Sequence, residues 1–145
     1  MNITVRHTGI TTTDMDRALW LYRDIFGLKV KIDTIEEGDF VDNLVSINNV
    51  KVRVVKLKDK NGGMIELLQY QSHPESAEKN FIDGITNIGC SHVAFTVNDI
   101  DDIYSKLMDE GINFNYPPQL SPNGMAKVSF FRDFDGTLLE LVEEI

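Results

Sequence analysis

The feature of this sequence that most limits its possible folds is an internal repeat. Residues 7–16 align without a gap with residues 92–101, and both stretches carry His, then Thr at the fifth position, then Asp-x-Asp. Residues 59–68 align in the same way with residues 133–142, so that Glu66 falls on Glu140. Because a repeat of this kind rarely buries its apolar face alone, we expect two similar modules that pack together.

The sequence predicts the same order of elements, βαβββ, in both halves of the chain. In the first half, strand 3–11 precedes a helix capped by Thr13 or Asp14, and strands 28–34, 44–57 (with a break at 48–49) and 64–70 follow Gly27. In the second half, strand 91–97 precedes a helix capped by Asn98 or Asp99, and strands 112–116, 125–132 and 137–142 follow Gly111. We therefore predict the α+β class, with tandem modules 1–70 and 89–145 joined by linker 71–88 in a single domain, 1–145.

The repeated His and Glu residues stand out within these strands. Side chains alternate along a strand, so His92 points away from the apolar set formed by Val93, Phe95 and Val97. Glu66 and Glu140 each lie in mid-strand between apolar neighbours, where an isolated charge is costly. A lone strand His usually fills a core, and a lone Glu usually faces solvent. Two equivalent pairs in a duplicated chain instead favour one metal site, with the ligands His7, Glu66, His92 and Glu140.

Composition excludes several functional classes. The chain has 145 residues, 42% of them hydrophobic, which is enough for a substantial core. Its 23 acidic and 14 basic residues give a net charge of -9, which disfavours nucleic acid as a partner. No apolar stretch approaches the roughly 18 residues of a membrane span. With a single cysteine, Cys90, the chain has no internal disulfide, and we expect a cytoplasmic protein that binds neither nucleic acid nor membrane.

Together, these motifs resemble the vicinal oxygen chelate superfamily. That superfamily includes glyoxalase I, methylmalonyl-CoA epimerase, extradiol dioxygenases and bleomycin-binding proteins. The resemblance rests on the segments 7–10, 26–28, 65–67, 92–101 and 132–141. It implies paired βαβββ modules that form a cupped mixed sheet around a central cleft. It also implies one divalent metal ion, Zn or Ni first and Co, Mn or Fe as the other options, held by the four residues named above.

The ligand set narrows the functional expectation. Four intact ligands resemble glyoxalase I and methylmalonyl-CoA epimerase, which implies a metal-dependent isomerase or lyase acting on a small-molecule carbonyl substrate. Glu66 and Glu140 are then the acid/base pair that moves a proton next to the carbonyl. An Fe(II) extradiol-type dioxygenase, which would use His7, His92 and Glu140, is one alternative. A non-catalytic ligand-binding protein of the bleomycin-resistance type is another, and a homodimer is the expected assembly.

Overall fold

The computed structural model describes residues 3–74, 86 and 88–145 of an α+β protein. The chain forms two compact units, residues 1–79 (unit 1) and 80–145 (unit 2), each with a four-stranded sheet of mixed strand direction. Much of the predicted linker, residues 75–85 and 87, lies outside the described residues. Within the described part of the chain, no helix is long and apolar enough to cross a membrane.

Unit 1 has the predicted strand order with one added helix. Its elements are β1 (Thr8–Thr11), α1 (Met15–Leu19), a π-helical segment (Trp20–Ile25), β2 (Lys29–Glu37), α2 (Asp39–Val45), β3 (Lys51–Lys58) and β4 (Met64–Tyr70). The sheet order is β1-β4-β3-β2, with β1 parallel to β4 and the other pairs antiparallel. The first and last strands of the unit are therefore neighbours.

The first helix begins and ends as predicted. The Asp14 carboxylate accepts hydrogen bonds from the backbone N–H groups of Asp16 and Arg17, and Gly27, with φ of 73°, follows the end of the helix. Beyond Leu19 the helix widens into a π-helical segment, in which the N–H of Phe26 bonds to the carbonyl of Leu21. Within this segment the consecutive residues Leu21 and Tyr22 are both buried.

The prediction of a strand across residues 44–57 is wrong in its first part. Leu44 belongs to helix α2, and strand β3 begins only at Lys51. The Asp42 carboxylate accepts hydrogen bonds from the N–H groups of Asn49 and Val50, at 2.7 and 2.8 Å, and closes the loop between helix and strand. These two side-chain hydrogen bonds satisfy backbone N–H groups that would otherwise pair with a neighbouring strand.

Unit 2 repeats the strand order of unit 1, with no helix among the described residues between its second and third strands. Its elements are β5 (Val93–Thr96), α3 (Ile100–Asp109), β6 (Gln119–Leu120), β7 (Ala126–Arg132) and β8 (Leu138–Glu144), in the sheet order β5-β8-β7-β6. Asp99 caps α3 through a bond from the N–H of Asp102. The prediction of a strand at 112–116 is wrong, because that stretch makes one isolated bridge, Phe114 to Phe131, and the strand at this place in the sheet is the two-residue β6. Pro117 and Pro118 lack the N–H groups that a longer ladder requires.

The predicted strands 3–11 and 91–97 are both shorter in the structure. The first begins at Thr8 and the second at Val93, because their partners start at Met64 and Leu138 and the parallel pairing extends no further. His7 and His92 consequently occupy the same place in their units, directly before the first strand. Each is followed at the next residue by the parallel strand pairing, Thr8 with Ile65 and Val93 with Leu139.

Each sheet packs one face against the helix that follows its first strand. In unit 1 the buried face carries Val55, Leu57 and Leu67, none of which is measurably exposed. In unit 2 it carries Phe131, Leu139 and Leu141, which are equally buried. Because side chains alternate along a strand, Glu66 and Glu140 lie on the opposite faces, away from α1 and α3.

Candidate functional site

Strand register places three residues of unit 1 side by side on the open sheet face. Gly9 of β1 pairs with Glu66 of β4, and Glu66 pairs with Lys56 of β3. His7 is two residues before Gly9 and points to the same side of the chain. Gly9 has no side chain, and a Cβ at this position would meet Leu68 Cδ1 at 3.6 Å.

The Glu66 carboxylate lies between two cationic or basic partners. Its Oε1 is 3.5 Å from Nε2 of His7, and its Oε2 is 3.1 Å from Nζ of Lys56. The Glu66 side chain is only 13% exposed, so these contacts are partly shielded from water. Nδ1 of His7 is buried and has no hydrogen-bond partner among the described residues. In the His7–Glu66 pair, therefore, one ring nitrogen of His7 has no partner among the described residues, and one carboxylate oxygen of Glu66 is paired with Lys56.

Unit 2 holds the corresponding pair. Ala94, Glu140 and Phe130 lie side by side on β5, β8 and β7, and Nε2 of His92 is 3.1 Å from Oε2 of Glu140. Nδ1 of His92 is hydrogen-bonded to the Ser91 hydroxyl at 2.7 Å. The Phe130 ring meets the imidazole edge-on, with ring centroids 5.1 Å apart. These contacts orient the ring with Nε2 toward the carboxylate.

The two pairs fit a metal ion by donor chemistry and by spacing. Two ligands about 2.1 Å from one ion, at tetrahedral or octahedral angles, lie about 3.0–3.4 Å apart. The observed N–O separations, 3.5 and 3.1 Å, are close to this range. Imidazole nitrogen and carboxylate oxygen suit Zn, Ni and the neighbouring divalent metals. Each unit by itself brings one imidazole and one carboxylate together, and no group of three or more His, Cys, Asp or Glu residues suited to an ion occurs among the described residues.

Three contacts of the site were missed from the sequence: Lys56, Ser91 and Phe130. Lys56 had a signal, because it stands between the apolar residues Val55 and Leu57 and aligns with Phe130 in the repeat. Ser91 adjoins His92 in the chain, but adjacency alone does not predict a bond. The contact of Lys56 with Glu66 depends on the register of the β3–β4 hairpin.

Helix α2 covers one end of the open face in unit 1. Val41 packs against a cluster that includes Val52, Val54 and Tyr70, which alternate along their strands in step with Lys56 and Glu66. Its neighbours Phe40 and Leu44 are 79% and 69% exposed. Helix α2 therefore covers the part of this face that carries Val52, Val54 and Tyr70.

The remaining candidate residues lie outside the two pairs. Arg53 makes a two-pronged bond to Asp33, at 2.9 and 2.7 Å, on the face that also meets Asp16 of α1. This bond raises the pKa of Arg53 and holds the pKa of Asp33 below its usual range. The Cys90 thiol is exposed, 4.0 Å from the carbonyl of His92.

His73 lies in a different part of unit 1. Its Nδ1 is hydrogen-bonded to the Ser72 hydroxyl at 2.7 Å. The residue lines a polar cavity of about 440 Å³ together with Thr11–Thr13, Gln69–Gln71 and Pro74, at the carboxyl ends of β1 and β4. Among the described residues that line this cavity, His73 is the only imidazole.

Comparison with known proteins agrees with this architecture. The family model described as glyoxalase/bleomycin resistance protein/dioxygenase superfamily matches residues 4–141. The chain belongs to this superfamily. The fold of a glyoxalase family protein from Bacillus cereus superimposes with a TM-score of 0.84 at 20% identity, covering 100% of this chain and 96% of that one. The resemblance of the repeat to this superfamily and the predicted α+β fold of glyoxalase type are confirmed.

Two relatives in the glyoxalase superfamily carry enzyme names. A lactoylglutathione lyase from Schizosaccharomyces pombe is 28% identical over 145 residues, which cover 97% of this chain and 47% of the relative. The chain thus spans about half the length of that relative. A mitochondrial methylmalonyl-CoA epimerase from Dictyostelium discoideum is 26% identical over 147 residues, covering 97% of this chain and 78% of the relative.

Proposed function

We propose that this protein is a metal-dependent isomerase or lyase that moves a proton next to the carbonyl group of a small molecule. The observation that carries the proposal is the duplicated His–Glu pair, with matching strand positions and N–O separations of 3.5 and 3.1 Å. The names of the two relatives, a lyase and an epimerase, support the same class of reaction.

One divalent ion, Zn or Ni first, would be held by His7, Glu66, His92 and Glu140. When bound, such an ion acts as a Lewis acid that offsets the negative charge developing on a substrate carbonyl oxygen. The two half-sets come together in this proposal by pairing of the modules, either within one chain or between the chains of a homodimer. In both arrangements the complete site holds one ion per chain.

The carboxylates of Glu66 and Glu140 carry the proton transfer in this proposal. A base must approach within about 3 Å of the carbon-bound proton. With one carboxylate acting as base and then as acid, the proton shifts along the substrate. With one on each side of the carbon, the configuration of that carbon inverts. The imidazoles of His7 and His92 hold their positions in both cases, since the adjacent strand pairing anchors their backbone.

The test is a metal-resolved activity profile of the full chain. The protein is stripped of metal, reloaded separately with Ni, Zn, Co, Mn and Fe(II), and assayed with a hemithioacetal, an epimerisable thioester and a catechol. We expect one ion per chain and turnover of the hemithioacetal or the thioester, lost in Glu66→Ala and retained in the matched control Glu37→Ala. Failure to bind any of these ions would refute the proposal and favour a non-catalytic binding protein.

One observation favours a second candidate, the Fe(II) extradiol-type dioxygenase. Lys56 holds an oxygen of Glu66, which leaves His7, His92 and Glu140 as a three-ligand set without a lysine partner in the described residues. Catechol cleavage with Fe(II), surviving in Glu66→Ala, would support this candidate over the isomerase.

A further inference from the structure

The two half-sites differ at one position related by the repeat. Lys56 and Phe130 occupy equivalent places, each paired across its hairpin with the site carboxylate, Glu66 or Glu140. The ammonium of Lys56 is 3.1 Å from Glu66, whereas Phe130 presents a ring to His92. Thus one carboxylate has a cationic partner supplied by the protein, and the other has an aromatic neighbour.

This difference has an energetic consequence for any cation that binds the Glu66 carboxylate. The Lys56 and Glu66 side chains are 24% and 13% exposed, so their attraction is less screened than that of a surface pair. An incoming dication must compete with this attraction, and it must also sit near a positive charge that repels it. Neither effect operates at Glu140, where no lysine or arginine ion pair is found among the described residues.

We propose that Lys56 competes with the metal ion for Glu66, so that Glu66 is the weakly held, exchangeable ligand and Glu140 the firmly held one. The inference rests on the proposed function, since it concerns the same four ligands. Lys56 acts here as a positioning residue: it touches the carboxylate and is not itself a ligand. Unit 2 serves as an internal comparison, because Phe130 occupies the position equivalent to Lys56 and carries no charge.

The experiment measures Ni²⁺ affinity of the metal-stripped full chain by competition with a chromophoric chelator. We expect Lys56→Met to bind Ni²⁺ about tenfold more tightly than the wild type, a change of about 1.4 kcal/mol. Lys56→Arg keeps the cation and should bind like the wild type. The matched control is Lys51→Met, which removes the same charge from β3 about 16 Å away on the opposite face.

A double-mutant cycle separates competition for the carboxylate from simple repulsion of the ion. If Lys56 competes for Glu66, the affinity lost in Glu66→Gln is larger when residue 56 is Met than when it is Lys. Repulsion alone would make the two losses equal. The loss caused by Glu140→Gln should be the same in both backgrounds, because Glu140 has no lysine partner among the described residues.

The outcomes distinguish the inference from the function on which it rests. Stoichiometric Ni²⁺ binding by the wild type, unchanged or weaker in Lys56→Met, overturns the role of Lys56 and leaves the metal site standing. Absence of Ni²⁺ binding in the wild type and in every variant overturns both. Binding that appears only in Lys56→Met supports the competition in its strongest form. Circular dichroism of each variant confirms that the comparison is made between folded proteins.

Discussion

The hydroxyl of Ser91 lies 2.7 Å from Nδ1 of its neighbour His92, and this contact leaves Nε2 directed at Glu140. A histidine that binds a metal through one ring nitrogen commonly has the other nitrogen held by a hydrogen bond, which sets the tautomer and the ring angle. In the other unit, Nδ1 of His7 has no such partner among the described residues. The orientation of the His92 ring is therefore fixed by a hydrogen bond for which the His7 ring has no equivalent among the described residues.

Removing the Ser91 hydroxyl should weaken metal binding. We expect Ser91→Ala to lower Ni²⁺ affinity by about tenfold, since the loss of a group that orients a ligand costs about 10–100-fold. The control is Ser72→Ala, because Ser72 makes the same 2.7 Å contact with His73 away from both pairs. Equal affinities of Ser91→Ala and the wild type would show that this hydroxyl does not orient a ligand.

The three histidines should behave differently when replaced. His7→Ala and His92→Ala should each lose more than about 100-fold in Ni²⁺ affinity, because each removes a ligand and not merely its support. His73→Ala should keep the wild-type affinity, since His73 lies by the polar cavity and not beside Glu66 or Glu140. Isothermal titration calorimetry measures all three. A loss in His73→Ala as large as in His92→Ala would contradict the assignment of the site.

The Arg53–Asp33 pair should make stability depend on pH at the acid end. The hydrogen bond from Arg53 holds the pKa of Asp33 below its usual range, so its stabilising effect is present above the unfolded-state value, about 3.9. It is lost as the pH falls through the lower folded-state value. Because Asp33 is 41% exposed, we expect Asp33→Asn to reduce the free energy of unfolding at pH 7 by only about 0.5 kcal/mol.

Urea denaturation at several pH values measures this effect. The difference between Asp33→Asn and the wild type should shrink steadily below about pH 4. If Asp33→Asn and the wild type still differ by the same free energy of unfolding at pH 2, Asp33 stabilises the fold through something other than its charge. Ni²⁺ affinity should be unaffected, because this pair lies on the sheet face turned toward α1.

Adjacent residues of α2 provide a direct test of that helix. Val41 is 4% exposed and packs on the sheet, whereas Phe40 is 79% exposed. We expect Val41→Ala to lower the free energy of unfolding by about 2 kcal/mol. Phe40→Ala should change it by less than about 0.5 kcal/mol. Chemical denaturation measures both changes in the free energy of unfolding. A larger loss of stability in Phe40→Ala than in Val41→Ala would contradict the packing of Val41 against the sheet.

Sequence reasoning recovered the parts of the fold that depend on local chemistry. The bounds of β4 and the caps Asp14 and Asp99 are as predicted, because alternation and capping are read from neighbouring residues. Helix α2 was missed because Leu44 and Val45 also fit a strand. The two deciding hydrogen bonds are donated to the Asp42 carboxylate by N–H groups seven and eight positions away.

The site was predictable as far as the repeat extends. The repeat identified His7, Glu66, His92 and Glu140, and within each unit the structure brings the His beside its Glu. That all four hold one ion stays a prediction. Lys56 escaped notice because it is ten residues from Glu66 in the chain, and only the antiparallel register makes the two residues neighbours.

The parallel pairing of β1 with β4 gives the His7–Glu66 pair a further property. The imidazole belongs to the start of unit 1 and the carboxylate to its last strand, and β1 is a four-residue strand at the edge of its sheet. An ion held by both residues would link the first and the last strand of the unit. Metal loading should then slow hydrogen exchange at the amides of β1 before it affects the interior strand β3.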